Sequence, residues 1–143
     1  MPASNYVEEA TLGGFLEGKT ITVPTEVWIG FTKAAITKTM TGTTVSEELT
    51  FTGYKRIKTT LAEWEKTAGS GESTATKFVN KIAYQLAKAS VVTGITEGVY
   101  FFLATKETAG EVLFFEKLTE KFVVANTTTT VEFAAKALEI SAN

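Results

Sequence analysis

The chain has 143 residues and among them no histidine and no cysteine, and its sixteen acidic residues are all glutamate, so aspartate is absent as well. Each absence removes a class of chemistry. Without His and Cys there is no Ser-His-Asp or Cys-His nucleophile system and no thiolate or imidazole zinc site, and without Asp there is no EF-hand loop. Disulfides are excluded, and the redox compartment is therefore unreadable. Arginine is reduced to a single copy, Arg56, in a chain of net charge −2. That leaves little for phosphate contacts or bidentate guanine readout, so nucleic acid is not an expected partner. No apolar run approaches the roughly 18 to 20 residues of a membrane span, and the start, MPASNYVEEATLGGFLEG, lacks the basic and apolar regions of a signal peptide. These features predict a soluble, unprocessed chain without a membrane partner.

What is present is a core. Hydrophobic residues make up 44%, including ten Phe, two Trp and four Tyr, and the length suits one domain that needs no disulfide or metal staple. Threonine, at 26 copies, favours strands over helices, as do the aromatics. The expectation is a single unit over 1–143, with an N-terminal arm or helix over 1–18 and a β-domain over 19–143.

Ser4 and Asn5 can each cap a helix running to about Glu17, with Gly18 as its terminator. Its apolar residues, Val7, Ala10, Leu12, Phe15 and Leu16, spread widely around the helix, so it requires tertiary packing to persist. In VPTEVWIGFTK, Val27, Ile29 and Phe31 alternate with Trp28, Gly30 and Thr32, the period of a strand with one buried face. TKTMTGTTVSEE reads as a loop, LTFTGYKRIKTTLAEWEK as alternating strand, and TAGSGEST as a turn. KFVNKIAYQLAKASVV fits both periods and slightly favours a helix. EGVYFFLAT, GEVLFFEKL, KFVV, TVEFA and ALEIS are short apolar runs spaced as in an antiparallel meander. Asn126 with Thr127 to Thr130 reads as the turn of a closing β-hairpin. The fold class expected is mainly β, an antiparallel sandwich or barrel with one short helix.

Candidate chemistry is thin. Glu63 and Glu65 would share a strand face, but a glycosidase pair must line a sugar cleft that nothing here predicts, and solvated charge is the plainer reading. Gly69 to Gly71 lack the Lys-Ser/Thr of a phosphate loop. Tyr54, Lys55 and Arg56 set an aromatic beside two cations, a cluster suited to packing or to an interface. Trp28 and Trp64 could be sugar platforms but more commonly anchor cores or interfaces. Asn126-Thr127-Thr128 fits a glycosylation pattern that has no meaning without secretion.

Laid out in order, these segments resemble a family of small bacteriophage virion proteins, often described as tail fibre proteins and similar to head decoration proteins. NYVEEATLGGFL corresponds to its Asn-Tyr-aliphatic-Glu opening, VPTEVWIGFTK to a Pro-led strand, and TGYKR to a Gly-Tyr-Ala-Arg element. FVNKIAYQLAKAS stands where the family has a Val-Ser-Asn segment entering a strand. GVYFFLATKETAGEVLFFEKL matches two strands about a turn, and VVANTTTTVEFAAKALEIS a closing hairpin. Where family members carry a His and an Asp, this chain has Gly98 and Leu103.

The resemblance turns KFVNKIAYQLAKAS into a strand. It also implies a non-enzymatic virion structural protein, without cofactor or catalytic residues, assembled in the host bacterial cytoplasm. The role expected is capsid decoration or cementing on the major capsid protein lattice, and the alternative is a tail fibre or tail-tip component binding a virion partner or a host glycan. Contact residues expected from this role are Tyr6, Val7, Leu12, Phe15, Tyr54, Arg56 and Trp64, with self-association into small symmetric oligomers such as trimers. A carbohydrate-active enzyme using Glu63 and Glu65 is the reading from a different class.

Overall fold

The computed structural model describes residues 3–67 and 76–142. The fold is mainly β, with one α-helix, α1 (Asn5–Leu16), and nine strands among the described residues. The strands are β1 (Glu26–Thr32), β2 (Ile57–Thr60), β3 (Trp64–Thr67), β4 (Thr76–Asn80), β5 (Tyr84–Gln85), β6 (Glu97–Ala104), β7 (Val112–Val123), β8 (Glu132–Phe133) and β9 (Glu139–Ala142). They form three antiparallel sheets in the orders β2-β1-β6-β7, β3-β4-β9 and β5-β8. The barrel alternative is not realised, because among the described residues no sheet closes on itself. The helix is too short and too polar to cross a membrane.

The alternation in β1 predicts one buried face, and Val27, Ile29 and Phe31 are indeed fully buried. Phe31 stacks on Phe133 at 5.1 Å and meets Phe122 edge-on at 5.3 Å, so a residue of β8 joins the main sheet to the smallest one. The opposite face is covered too. Thr32 and Gly30 are buried, and the Phe102 ring lies so close to Gly30 that a side chain there would overlap it. Phe102, Ala104, Val112 and Ile36 form a second, smaller core on that side, closed by Met40 and Val45 of the loop over residues 33–47. A sheet covered on both faces explains why β1 and β6 bury nearly every position beyond their first residues.

β6 and β7 pair along most of their length, and GEVLFFEKL and KFVV, which read as separate runs, are one strand. Gly98 faces Phe122 while Tyr100 faces Lys117, so β7 holds extra residues between these pairs. This bulge turns Leu118 into the core and Thr119, Glu120 and Lys121 to solvent.

Residues 76–90 hold no helix: Thr76–Asn80 and Tyr84–Gln85 are strands, as the resemblance implied and against the helical period, and the rest are bends and irregular chain. The reason is Asn80, wholly buried at the end of β4. Its amide donates to Ile82 O at 2.7 Å and Ala134 O at 2.9 Å and accepts from Leu138 N–H at 2.9 Å. These bonds fix the bend into β5 and tie it to the C-terminal loop. The closing hairpin expected at the threonines is not formed. Asn126 does make the turn, its Oδ1 accepting from Thr128 N–H at 3.0 Å, but β8 pairs with β5 and β9 with β4, strands far earlier in the chain. LTFTGYKRIKTTLAEWEK is likewise divided, into β2, a 3-10 turn at Leu61–Glu63 and β3. The turn expected at TAGSGEST lies, beyond Thr67, outside the described residues.

Candidate functional site

Two regions of the molecule invert the usual sorting of residues. The first is a charge placed inside. Arg56 lies just before β2 with its side chain only 3% exposed. Nε and Nη2 hold the Glu48 carboxylate in a two-pronged pair, both at 2.9 Å. Nη2 also donates to Gly42 O at 2.8 Å, and Nη1 to Lys106 O at 3.0 Å and Ala109 O at 2.9 Å. All the guanidinium donors are thus used, and the plane lies over the Phe102 ring at 4.9 Å.

Tyr54 completes this joint. Its hydroxyl donates to Glu48 at 2.7 Å and accepts from Phe31 N–H at 3.2 Å. Burial, and next to it the charge of Glu48, pushes the phenol well above its ordinary value. A lysine could not make this arrangement, because only the planar fork reaches a carboxylate and three carbonyls at once. Arg56 therefore ties the 33–47 loop to the β6–β7 turn and does not present a free surface. Tyr54, expected beside it as a contact residue, is turned inward for the same reason.

Trp64, also expected at an interface, packs against the core, and its Nε1–H donates to Thr59 Oγ1 at 2.9 Å. Thr59 in turn lies 2.5 Å from the Tyr84 hydroxyl, which donates to Glu63 at 2.6 Å. Burial first, and then the bond to Glu63, raise the Tyr84 phenol. Glu63 is thereby drawn into a structural network at the end of the 3-10 turn, while Glu65 lies in β3 opposite Val79. The pair expected to share one strand face is split between two elements. Among the described residues, no group of three or more acidic side chains is placed to hold a metal.

The second region is apolar surface placed outside. Ser4 caps α1, its Oγ accepting from Val7 N–H at 3.3 Å, and so takes the role that Asn5 could also have filled. Ser4 N–H donates to Leu113 O and Asn5 N–H to Lys38 O, and Val7 packs against the core. Only this first turn is anchored. Gly13 is the sole buried residue of the helix. At its end Gly18 adopts φ +67°, and Lys19 N–H donates back to Gly13 O at 3.1 Å, closing the last turn.

Beyond the anchor, Leu12, Phe15 and Leu16 are 58%, 81% and 77% exposed. Tyr6, Ile21 and Val23 are exposed as well, so six of the eleven large hydrophobic side chains exposed among the described residues fall between residues 6 and 23. Such concentrations of apolar surface mark binding sites, whereas scattered ones do not. Of the residues expected to make contacts, Tyr6, Leu12 and Phe15 are exposed here; Leu16, Ile21 and Val23, exposed beside them, were not singled out. The signal for Ile21 and Val23 was the alternation in KTITVP, a strand pattern in an extended segment that joins no sheet among the described residues.

Comparison with curated proteins finds no match. Residues 2–141, nearly the whole chain, match the family described as Podophage GP4 fiber I protein gp80. The chain belongs to this family of phage virion proteins.

Proposed function

We propose that this protein is a structural component of the virion that acts by binding, and that it decorates the outside of the head in contact with the major capsid protein. The observation that carries this reading is the apolar N-terminal arm, exposed beyond Val7 on a body in which, among the described residues, every buried side-chain polar atom has a hydrogen-bond partner. A cement protein stabilises a shell by burying moderate areas against several subunits at once, so that modest contacts add up. An arm anchored at one end and apolar along the rest is suited to that task.

The second reading, a tail fibre or tail-tip component binding a virion partner or a host glycan, is favoured by the family's description as a fibre protein. Electron cryomicroscopy of intact virions separates the two. Copies following the capsid lattice support decoration. A few copies on the tail transfer the protein to the second reading, and absence from the particle overturns both.

A further inference from the structure

The first N–H groups of an α-helix have no partners within the helix and must find them elsewhere. In α1 the Val7 N–H is taken by Ser4 Oγ, but the two before the second turn reach out to the body. Ser4 N–H donates to Leu113 O of β7 at 3.0 Å, and Asn5 N–H donates at 2.8 Å to Lys38 O, in the loop over residues 33–47. Adjacent peptide groups of the arm are thus fastened to two different elements. The ion pair of Lys38 with Glu8, at 3.5 Å and largely exposed, adds little.

The loop is itself held down. Its ends are joined by Lys33 N–H to Glu47 O at 3.0 Å, and its Ile36, Met40 and Val45 belong to the small core with Phe102, Ala104 and Val112. At its middle Gly42 is gripped twice: its N–H donates to Gly110 O at 2.8 Å, and its carbonyl accepts from Arg56 Nη2 at 2.8 Å. A side chain at Gly42 would overlap Ala109 O. We propose that the 33–47 loop is a strap that fixes the direction in which α1 projects, with Asn5 as its attachment to the arm and with Gly42 and Arg56 holding it to the body. A single fastening at Ser4 leaves the helix free to swing about that peptide, and the second, at Asn5, removes the swing. Val7 packs against the core, but apolar contact is non-directional and does not set an angle. The strap therefore presents the apolar face of the arm at one orientation, whichever surface receives it.

The absence of cysteine makes a direct test available, because spin labels attach only to cysteines introduced for the purpose. Leu16→Cys near the end of the arm with Lys58→Cys on β2 reports arm against body, and Lys58→Cys with Glu132→Cys on β8 reports body against body; all three positions are exposed. Double electron–electron resonance on the full chain should give one narrow distance for each pair. Asn5→Pro removes the donor to the strap and leaves the helix intact, since proline suits the first helical position and Ser4 before it is already extended. Lys38 is exposed, so water takes over its carbonyl. Gly42→Ala lifts the strap from Ala109 without touching the helix. Each variant is expected to spread the arm-to-body distance while the body-to-body distance stays narrow. The double variant should spread it no further than Asn5→Pro alone, because both act through one bond. A broad arm-to-body distance in the unaltered background, a distance that stays narrow in Asn5→Pro, or a Gly42→Ala effect that adds to it or broadens the body pair equally overturns the proposal.

Discussion

Arg56 and Phe15 lie on opposite sides of the rule that charges stay in water and aromatic rings leave it. Arg56 is a charge inside the body with all its donors matched, and Phe15 is a ring outside it with little to touch. The difference separates what the chain does for itself from what it does for others. Buried polar groups close the body, since an unmatched one costs more than the bond contributes. Exposed apolar groups stabilise nothing in the isolated chain and gain their value only when a partner covers them.

The largest effect that can break this comparison is removal of the chain after Asn126. That deletes β8 and β9 together with the buried Val131, Phe133, Leu138 and Ile140. The truncated chain is expected to lose cooperative unfolding and near-UV circular dichroism altogether. Arg56→Ala comes next. It strands Glu48 and three carbonyls, and a buried ion pair that loses one partner costs about 3–5 kcal/mol, readable as a lower denaturant midpoint. Asn80→Ala leaves the Ile82 carbonyl and the Leu138 N–H unmatched, while Ala134 O keeps Ala137 N–H, and should cost about 2–3 kcal/mol by the same measurement.

A smaller effect is set by alkali. Unfolded tyrosine loses its proton near pH 10.0, whereas Tyr54 and Tyr84 hold theirs to higher pH. Above pH 10 the unfolded chain therefore binds fewer protons than the folded one. Stability that is intact below that pH declines as pH rises, by at most about 1.4 kcal/mol per pH unit for each of the two groups. Denaturant titrations at a series of alkaline pH values should show the decline, and Tyr54→Phe should make it shallower. Smallest of all is the arm: Leu12→Ser and Phe15→Ser should each change stability by no more than about 0.5 kcal/mol, because nothing in the body depends on them.

The two regions were not equally legible. Strand β1 followed from alternation and β6 and β7 from short apolar runs, β7 as two of them, because these patterns are local properties of sequence. The helix was legible too, from its cap and its terminator, whereas the tertiary packing expected from the wide spread of its apolar residues is made only by its first turn. The joint at Arg56 was not readable, since its partners come from residues 42, 48, 106 and 109, and no local pattern announces contacts at such distances. The one clue was that a chain with thirteen lysines keeps a single arginine. Residues 76–90 misled for the same reason. Their helical period is real, but long-range bonds from Asn80 outweigh it, and local propensity is the weaker term. The threonine turn formed where expected, while the partners of the strands after it were non-local.

The proposed division between a self-sufficient body and an arm that serves assembly is tested most directly by following the Leu12→Ser/Phe15→Ser chain into virions. Its thermal unfolding should match that of the unaltered protein, and particles assembled with it as the sole source should lack the protein in quantitative mass spectrometry. Particles carrying it at the normal copy number would contradict the account.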